Sequence, residues 1–452
     1  MYEGYVFCLI NKISIIFFYQ KIYRMPIILI IGLMAIIGVY AARGLYADGS
    51  YMFLQSLVNR GYYNYDTYRV FVQILTQSPT VFGIKIGIKN ITTLIYLQSF
   101  GAIGIPAIIW MAALFLQIKT QNFWALVVAF SVTSMTSGFI SISESNMIYA
   151  LSAYCFSVLL KDRINLINSV FVLISAFFMI FSYAATVFLC HILCIFSIYR
   201  LEKPKDTLLY REKFVLCSLI TMFFSATAIG AIAIILPFSV GNLNNAVDFS
   251  SLLRFSFTEY LSLMLALYFL ICILSKKKYF IYTISEYFLS IISLILSIHF
   301  IMDRSLWNTP AENYLFRSVS GVILFFVFIY LIVKTIIFNE TKIKNYNLYT
   351  DSMSETISSL SLFFSLAFAS TVCTLDYAKW LKNFETEAIQ SHGWISIKDT
   401  DIWFDSAKNM NVAVDIKSYK DFNWFWTTPI LSVILRGNSS GGILNYDKNI
   451  YM

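Results

Sequence analysis

Apolar residues run through this chain in long blocks, not in the alternating or half-polar stripes of a water-soluble protein. Blocks near 26–42, 91–117, 122–142, 146–160, 164–181, 184–199, 214–236, 258–275, 279–301, 317–338 and 355–374 are candidate membrane crossings, because a spanning helix needs roughly 17–25 mostly apolar residues. The pattern predicts an all-α polytopic membrane body of about eleven transmembrane helices over 1–374. The stretch 164–199 is broken only by Ser182, Tyr183, Ala184 and Ala185, and reads either as a tight helical hairpin or as one long tilted element. Pro106 predicts a kink in the second span, which membranes tolerate because neighbouring groups re-satisfy the freed carbonyl. The apolar stretch through Tyr19 is interrupted by Asn11 and Lys12 and is followed by no small-residue cleavage site. It reads as an uncleaved interfacial helix and not as a signal peptide.

Composition closes off the other classes. Hydrophobic residues make up 58% of the chain and charged residues 13%, against roughly 25% charged in an ordinary soluble domain. A soluble enzyme is excluded, and so is disorder, which needs low hydrophobicity and high charge. The net charge of +8 lies wholly in the body, since the tail from Asp376 onward carries eight basic and nine acidic residues. A basic membrane body suits anionic headgroups or an anionic lipid-linked substrate. Nucleic acid is not expected as a partner, because the basic residues are scattered between apolar blocks. With the N-terminus in the cytoplasm, the loops on that side hold seventeen Lys/Arg and those opposite hold eight before the tail. That bias sets the orientation, and with eleven spans it puts the tail outside the cytoplasm. The tail, 375–452, mixes charged, aromatic and glycine residues and reads as a small extracytoplasmic α+β extension. Its Trp424 and Trp426 suit interfacial anchoring or stacking on sugar.

The first outer loop, 43–90, holds the most chemistry. It is far longer than an ordinary connection. Tyr51, Leu54, Leu57 and Val58, then Val70, Phe71, Ile74 and Leu75 up to the breaker Pro79, have helical spacing. They predict two amphipathic helices on the membrane surface. Asp48 stands just past the first span and reads either as a general base or as a solvated interfacial carboxylate. Glu144, in S-I-S-E-S-N, reads either as an acid facing a cavity or as part of a helix N-cap. Arg304, Tyr314 and Arg317 share an outer loop, where Arg317 can snorkel to headgroups or clamp a phosphate. The cysteines all lie in apolar blocks without any CxxC and read as buried structural thiols. His191 reads as a helix–helix hydrogen-bond partner, and Tyr62, Tyr63, Tyr65 and Tyr68 as an aromatic belt. No two histidines stand at metal-ligand spacing, and no phosphate-loop, zinc-protease or hydrolase motif occurs.

Together these features resemble the GT-C superfamily of integral-membrane glycosyltransferases. The resemblance rests on Asp48 after the first span, the stretches A-D-G-S-Y-M-F-L-Q-S-L-V-N-R-G-Y and R-V-F-V-Q-I-L-T-Q-S-P, and the later S-E-S-N, over roughly residues 26–200. It implies transfer of a sugar from a polyprenyl-phosphate-linked donor to a glycan, lipid or protein acceptor, on the outer face of a bacterial inner membrane. Asp48 would then be the base and Glu144 a second acid, with Arg69, Arg304, Arg317 and Tyr314 binding the substrate. Asp48 is followed by Gly49 and not by another acid, so a metal held by paired carboxylates is unsupported and no cofactor is expected. A transporter or flippase of lipid-linked sugars is the competing reading. A reporter that works only in the cytoplasm, fused after Met452, is expected to be silent; a working one would overturn the assigned orientation.

Overall fold

The computed structural model describes residues 24–46, 48–64, 67–120, 122–136, 144–183, 186–202, 209–235, 321–332, 335, 353–396, 428–436 and 443–445. In chain order its helices are α1 (Arg24–Tyr40), α2 (Asp48–Asn59), α3 (Val70–Lys85) and α4 (Ile91–Leu116). These are followed by α5 (Asn122–Phe130), α6 (Glu144–Leu159), α7 (Leu166–Phe178), α8 (Thr186–Leu201) and α9 (Tyr210–Ile235). Then come α10 (Gly321–Ile332), α11 (Met353–Gln390) and α12 (Thr428–Leu435). Two short strands, β1 (Trp394–Ser396) and β2 (Ile443–Asn445), pair in parallel within the tail. Among the described residues three helical stretches are long and apolar enough to cross a membrane: Ile91–Leu116, Tyr210–Ile232 and Ser359–Gln390. The predicted spans 258–275 and 279–301 lie outside the described residues.

Between 164 and 199 there are two helices, α7 and α8, each packed on α6 and α9. Pro106 leaves a different trace from a simple kink. A π-helical turn, Phe100–Gly104, precedes it. Widening the helix there relieves the clash of the proline ring with the carbonyl four residues back. The thiols of Cys155, Cys190, Cys194 and Cys373 are buried as predicted, whereas Cys217 is exposed on α9. His191 is also exposed, so it points away from the helix packing predicted for it.

The main core gathers α1, α4 to α11 around large side chains such as Trp110, Trp124, Tyr149 and Phe156. Phe156 and Phe328 stack with ring centroids 4.2 Å apart and only 5° between their planes. At one end of the bundle, arginines close off helix carbonyls. Arg24 donates to Ile118 O and Thr120 O at 2.7 and 2.9 Å, and Arg200 donates to Leu159 O at 2.7 Å and Asp162 O at 3.0 Å. Cations there complement the negative ends of helix dipoles.

The opposite end carries a second core. Leu45 and Tyr46, Phe53 of α2, Leu94 of α4, Tyr377, Trp380 and Phe384 of α11, and Leu431 of α12 pack together. α11 makes this possible because its 38 residues span about 57 Å at 1.5 Å per residue, nearly twice the roughly 30 Å hydrocarbon core of a bilayer. The helix continues past 374, where the eleventh span was predicted to end, and its far portion becomes the wall on which the tail helix α12 and the loop helix α2 are built.

Both loop helices form, and none of the apolar positions that marked them is buried: Tyr51, Leu54 and Leu57 of α2 and Val70, Phe71, Ile74 and Leu75 of α3 stay partly exposed. In α2 the buried positions are Gly49, Ser50, Met52, Phe53 and Ser56, while Val58 is exposed. In α3 the buried positions are Val72, Gln73, Thr76, Gln77, Thr80, Val81 and Gly83, while Phe82 is 65% exposed. Pro79, read as a breaker, lies inside α3, which runs on to Lys85. Helix α3 survives it because α3 seats directly on the π turn of α4. A Cβ added to Gly101 would collide with the Thr76 carbonyl oxygen and meet Pro79 Cδ at 3.2 Å. Gly101→Ala is therefore expected to lower stability by about 1–3 kcal/mol through overpacking, with Gly61→Ala as a near-neutral control. Thermal unfolding in detergent measures both, and equal midpoints would contradict the close seating.

Candidate functional site

The inward face of α3 is a row of amides and hydroxyls ending in an arginine. Arg69, Gln73, Thr76, Gln77 and Thr80 recur at helical spacing, so they share one side. Gln73, Gln77 and Thr80 each reach a different neighbour. Gln73 Nε2 donates to Glu144 Oε1 on α6 at 3.2 Å. Gln77 accepts from the Ser56 hydroxyl of α2 at 3.3 Å and from Tyr63 N at 2.8 Å, and its Nε2 donates to Tyr63 O at 2.7 Å. Thr80 donates to Gln98 Oε1 of α4 at 2.9 Å. The row ties α3 to three elements at once.

Its head is an ion pair. Arg69 Nη1 donates to Glu144 Oε2 at 2.6 Å, and the guanidinium lies 5.3 Å from the centre of the Tyr183 ring. Glu144 is buried in the first turn of α6, while Arg69 is about a quarter exposed. A carboxylate there also faces the positive end of the helix dipole. The structure thus brings together two of the predicted site residues, Arg69 and Glu144, and bonds them to one another.

Asp48 belongs to a neighbouring constellation. It opens α2, half-buried, two residues after Tyr46. The Tyr46 hydroxyl lies within electrostatic reach of both Asp48 and Arg43, and burial pushes its pKa far up, so it remains a protonated donor. Arg43 is itself buried and donates from Nη1 to Thr374 Oγ1 of α11 at 3.2 Å. Burial lowers its guanidinium to about 10, which still leaves it cationic at neutral pH. Nearby, Tyr51 and Tyr63 share a hydrogen bond of 3.2 Å, which together with burial pushes Tyr63 up to about 12.

Arg43 is also on the wall of a cavity of about 60 Å³ between α1, α4, α6, α11 and the π-helical turn Ser131–Thr136. Polar groups come from Ser134, Asn146, Thr371 and Thr374, and apolar ones from Met34, Ile103, Trp110 and Phe130 among others. At about 10–15 Å³ per water, the space takes a few waters or one small polar group, and not a whole lipid-linked sugar. Asn146 reaches this wall two residues after Glu144, so the Arg69–Glu144 pair fixes the helix start that supplies it.

Arg304, Tyr314 and Arg317 lie outside the described residues. Arg43 was not singled out in the sequence, where it reads as one basic residue of the outer loop. The signal available for the α3 row was its setting: from 70 to 84 the helix has no charged residue, which is unusual for a helix whose polar side meets water. Among the described residues no group of three or more His, Cys, Asp or Glu is placed to hold a metal ion. Searches against protein-family models, curated proteins and solved structures returned no match.

A double-mutant cycle tests the ion pair. Glu144→Gln and Arg69→Gln are each expected to destabilise, and the double variant to lose less than their sum, with a coupling of about 1–3 kcal/mol. Additive losses of thermal stability would show that the pair is not a structural joint.

Proposed function

We propose that this chain is a membrane-embedded glycosyltransferase of GT-C-like layout, with eleven spans, a cytoplasmic N-terminus and its site on the extracytoplasmic side. It moves a sugar from a polyprenyl-phosphate-linked donor to a glycan, lipid or protein acceptor. The observation that supports this reading is that Asp48 and Arg43 both lie within electrostatic reach of Tyr46, with Arg43 on the wall of a small cavity at one end of the helical body. An acid and a buried cation that share one tyrosine as neighbour suit a reaction in which a proton leaves one oxygen while negative charge grows on another.

In this reading Asp48 takes the proton from the acceptor hydroxyl, whose oxygen bonds to the anomeric carbon. The bond from that carbon to the phosphate oxygen breaks, and polyprenyl phosphate departs with the electron pair. Arg43, assisted by the hydroxyls on α11, stabilises the charge on the departing phosphate. Its planar fork suits phosphate oxygens. Glu144, engaged by Arg69 and Gln73, acts as a positioning residue that holds the start of α6. Arg304, Tyr314 and Arg317 remain candidates for contact with the rest of the donor.

Transport of lipid-linked sugars would instead call for charged groups deep within several spans. Among the described residues the buried charged groups are Arg24, Arg43, Glu144, Arg200 and Glu212, and all five stand at or just beyond helix ends. None of them lies in the middle of a helix, and that distribution favours chemistry at the membrane surface over transport.

Purified protein in detergent, supplied with a polyprenyl-phosphate sugar and a hydroxyl acceptor, is expected to release polyprenyl phosphate. Asp48→Asn removes the base and should slow release roughly 10²–10⁴-fold while leaving folding intact. Arg43→Lys and Arg317→Lys keep the charge but lose the fork, and should weaken donor use more than Glu144→Gln does. A well-folded Asp48→Asn protein with wild-type turnover would remove the assignment.

A further inference from the structure

The end of the bundle away from Asp48 has a surface that the proposed transfer does not use. The turn at 160–165 is clamped there against the start of α9. Ile164 N donates to Glu212 Oε1 at 2.6 Å, Arg211 Nη2 donates to Ile164 O at 2.9 Å, and Arg200 holds the carbonyls of Leu159 and Asp162. Glu212 is fully buried by this work and also accepts from Leu209 N at 3.2 Å. Its charge is turned inward, onto backbone donors.

Lys161, Arg163, Arg211 and Lys213 remain at the surface of the same turn and helix start, against the acids Asp162 and Glu202. Neither Lys161 nor Arg163 makes a side-chain hydrogen bond among the described residues. Immediately beside them are bare apolar side chains: Leu166 and Ile167 of α7, and Tyr210, 88% exposed, and Phe214 of α9. The stretch Tyr210–Ile232 is one of those able to cross a membrane, so its first turn falls where hydrocarbon gives way to headgroups. Basic side chains above an apolar collar, with a tyrosine between them, match the two halves of an anionic phospholipid.

We propose that the 160–165 turn and the first turn of α9 form a binding site for an anionic phospholipid, with its phosphate against Lys161 and Arg163 and its acyl chains along α7 and α9. The rigid clamp through Arg200, Arg211 and Glu212 holds the two basic side chains in place without occupying them. The site is independent of the proposed transfer activity and stands or falls on lipid retention alone.

The test uses the full chain, extracted from vesicles of phosphatidylglycerol and phosphatidylcholine in equal parts, with retained lipid counted by native mass spectrometry. Phosphatidylglycerol is expected to be retained in preference, and retention by the wild type should fall as salt is raised, since screening weakens exposed charge contacts. The double variant Lys161→Gln/Arg163→Gln should hold it on the order of tenfold to thirtyfold less well, because each basic side chain near an anionic surface is worth about fivefold. The charge-matched control Lys85→Gln/Lys89→Gln, at the other end of the bundle, should retain it as the wild type does. Equal retention of phosphatidylcholine, equal loss in the control, or salt-independent retention would each overturn the site. Displacement of the lipid by millimolar inorganic phosphate would overturn it too, by showing a free-anion site instead.

Discussion

The fold at the Asp48 end depends on one constraint: the amide and hydroxyl face of α3 has to be satisfied by protein. Leaving a buried polar group without a partner costs about 1–3 kcal/mol, so the four positions Gln73, Thr76, Gln77 and Thr80 favour a setting in which each gains a partner. Glu144 answers Gln73, Ser56 and the Tyr63 backbone answer Gln77, and Gln98 answers Thr80. Those partners sit on α6, α2, the chain after α2, and α4. Once α3 is seated, the start of α6, the course of α2 and the register against α4 follow together.

That seating carries through to the chemistry. The Arg69–Glu144 bond fixes the first turn of α6, and Asn146 in the same turn helps to wall the cavity beside Arg43. On the other side, α2 is held between α3 and α12, so Asp48 at its start stands on packed helices and not on a free loop. α11 closes the arrangement by running beyond the apolar body and giving Thr374 to Arg43 and Tyr377 to the cap core. For the proposed transfer, an acid and a cation held by rigid elements are better preorganised than the same groups on a flexible connection.

Length and hydropathy located the helices well because a spanning helix leaves a long, uninterrupted apolar trace. The block read at 91–117 is the helix Ile91–Leu116, and Leu166–Phe178 and Thr186–Leu201 fall within two or three residues of their predicted blocks. The direction in which a helix faces was not legible in the same way. The apolar positions of α3 read as facing the membrane surface, and they do stay partly exposed; the spacing did not show that the polar side turns in and is bonded by protein. Pro79 was misread because its tolerance depends on Gly101, a residue of the next helix whose missing side chain lets the backbones meet. The charged residues from Asp376 onward made the chain beyond 374 read as the start of a separate α+β extension. The helix continues because Tyr377, Trp380 and Phe384 recur at helical spacing on one buried side. Asp48, Arg69 and Glu144 were legible as polar residues beside spans; that Arg69 would bond Glu144, and that Arg43 would line the cavity, came only from three-dimensional packing.

Side-chain accessibility along α3 tests the central claim most directly. Single cysteines at Thr76 and Phe82, in a background with the native cysteines replaced, can carry nitroxide labels in membrane-reconstituted protein. The inward polar face predicts an immobilised spectrum shielded from colliders at 76, and a mobile one open to molecular oxygen at 82. A mobile, accessible label at 76 with an immobilised one at 82 would contradict the account, because α3 would then lie with its apolar side against the body and its polar row in water.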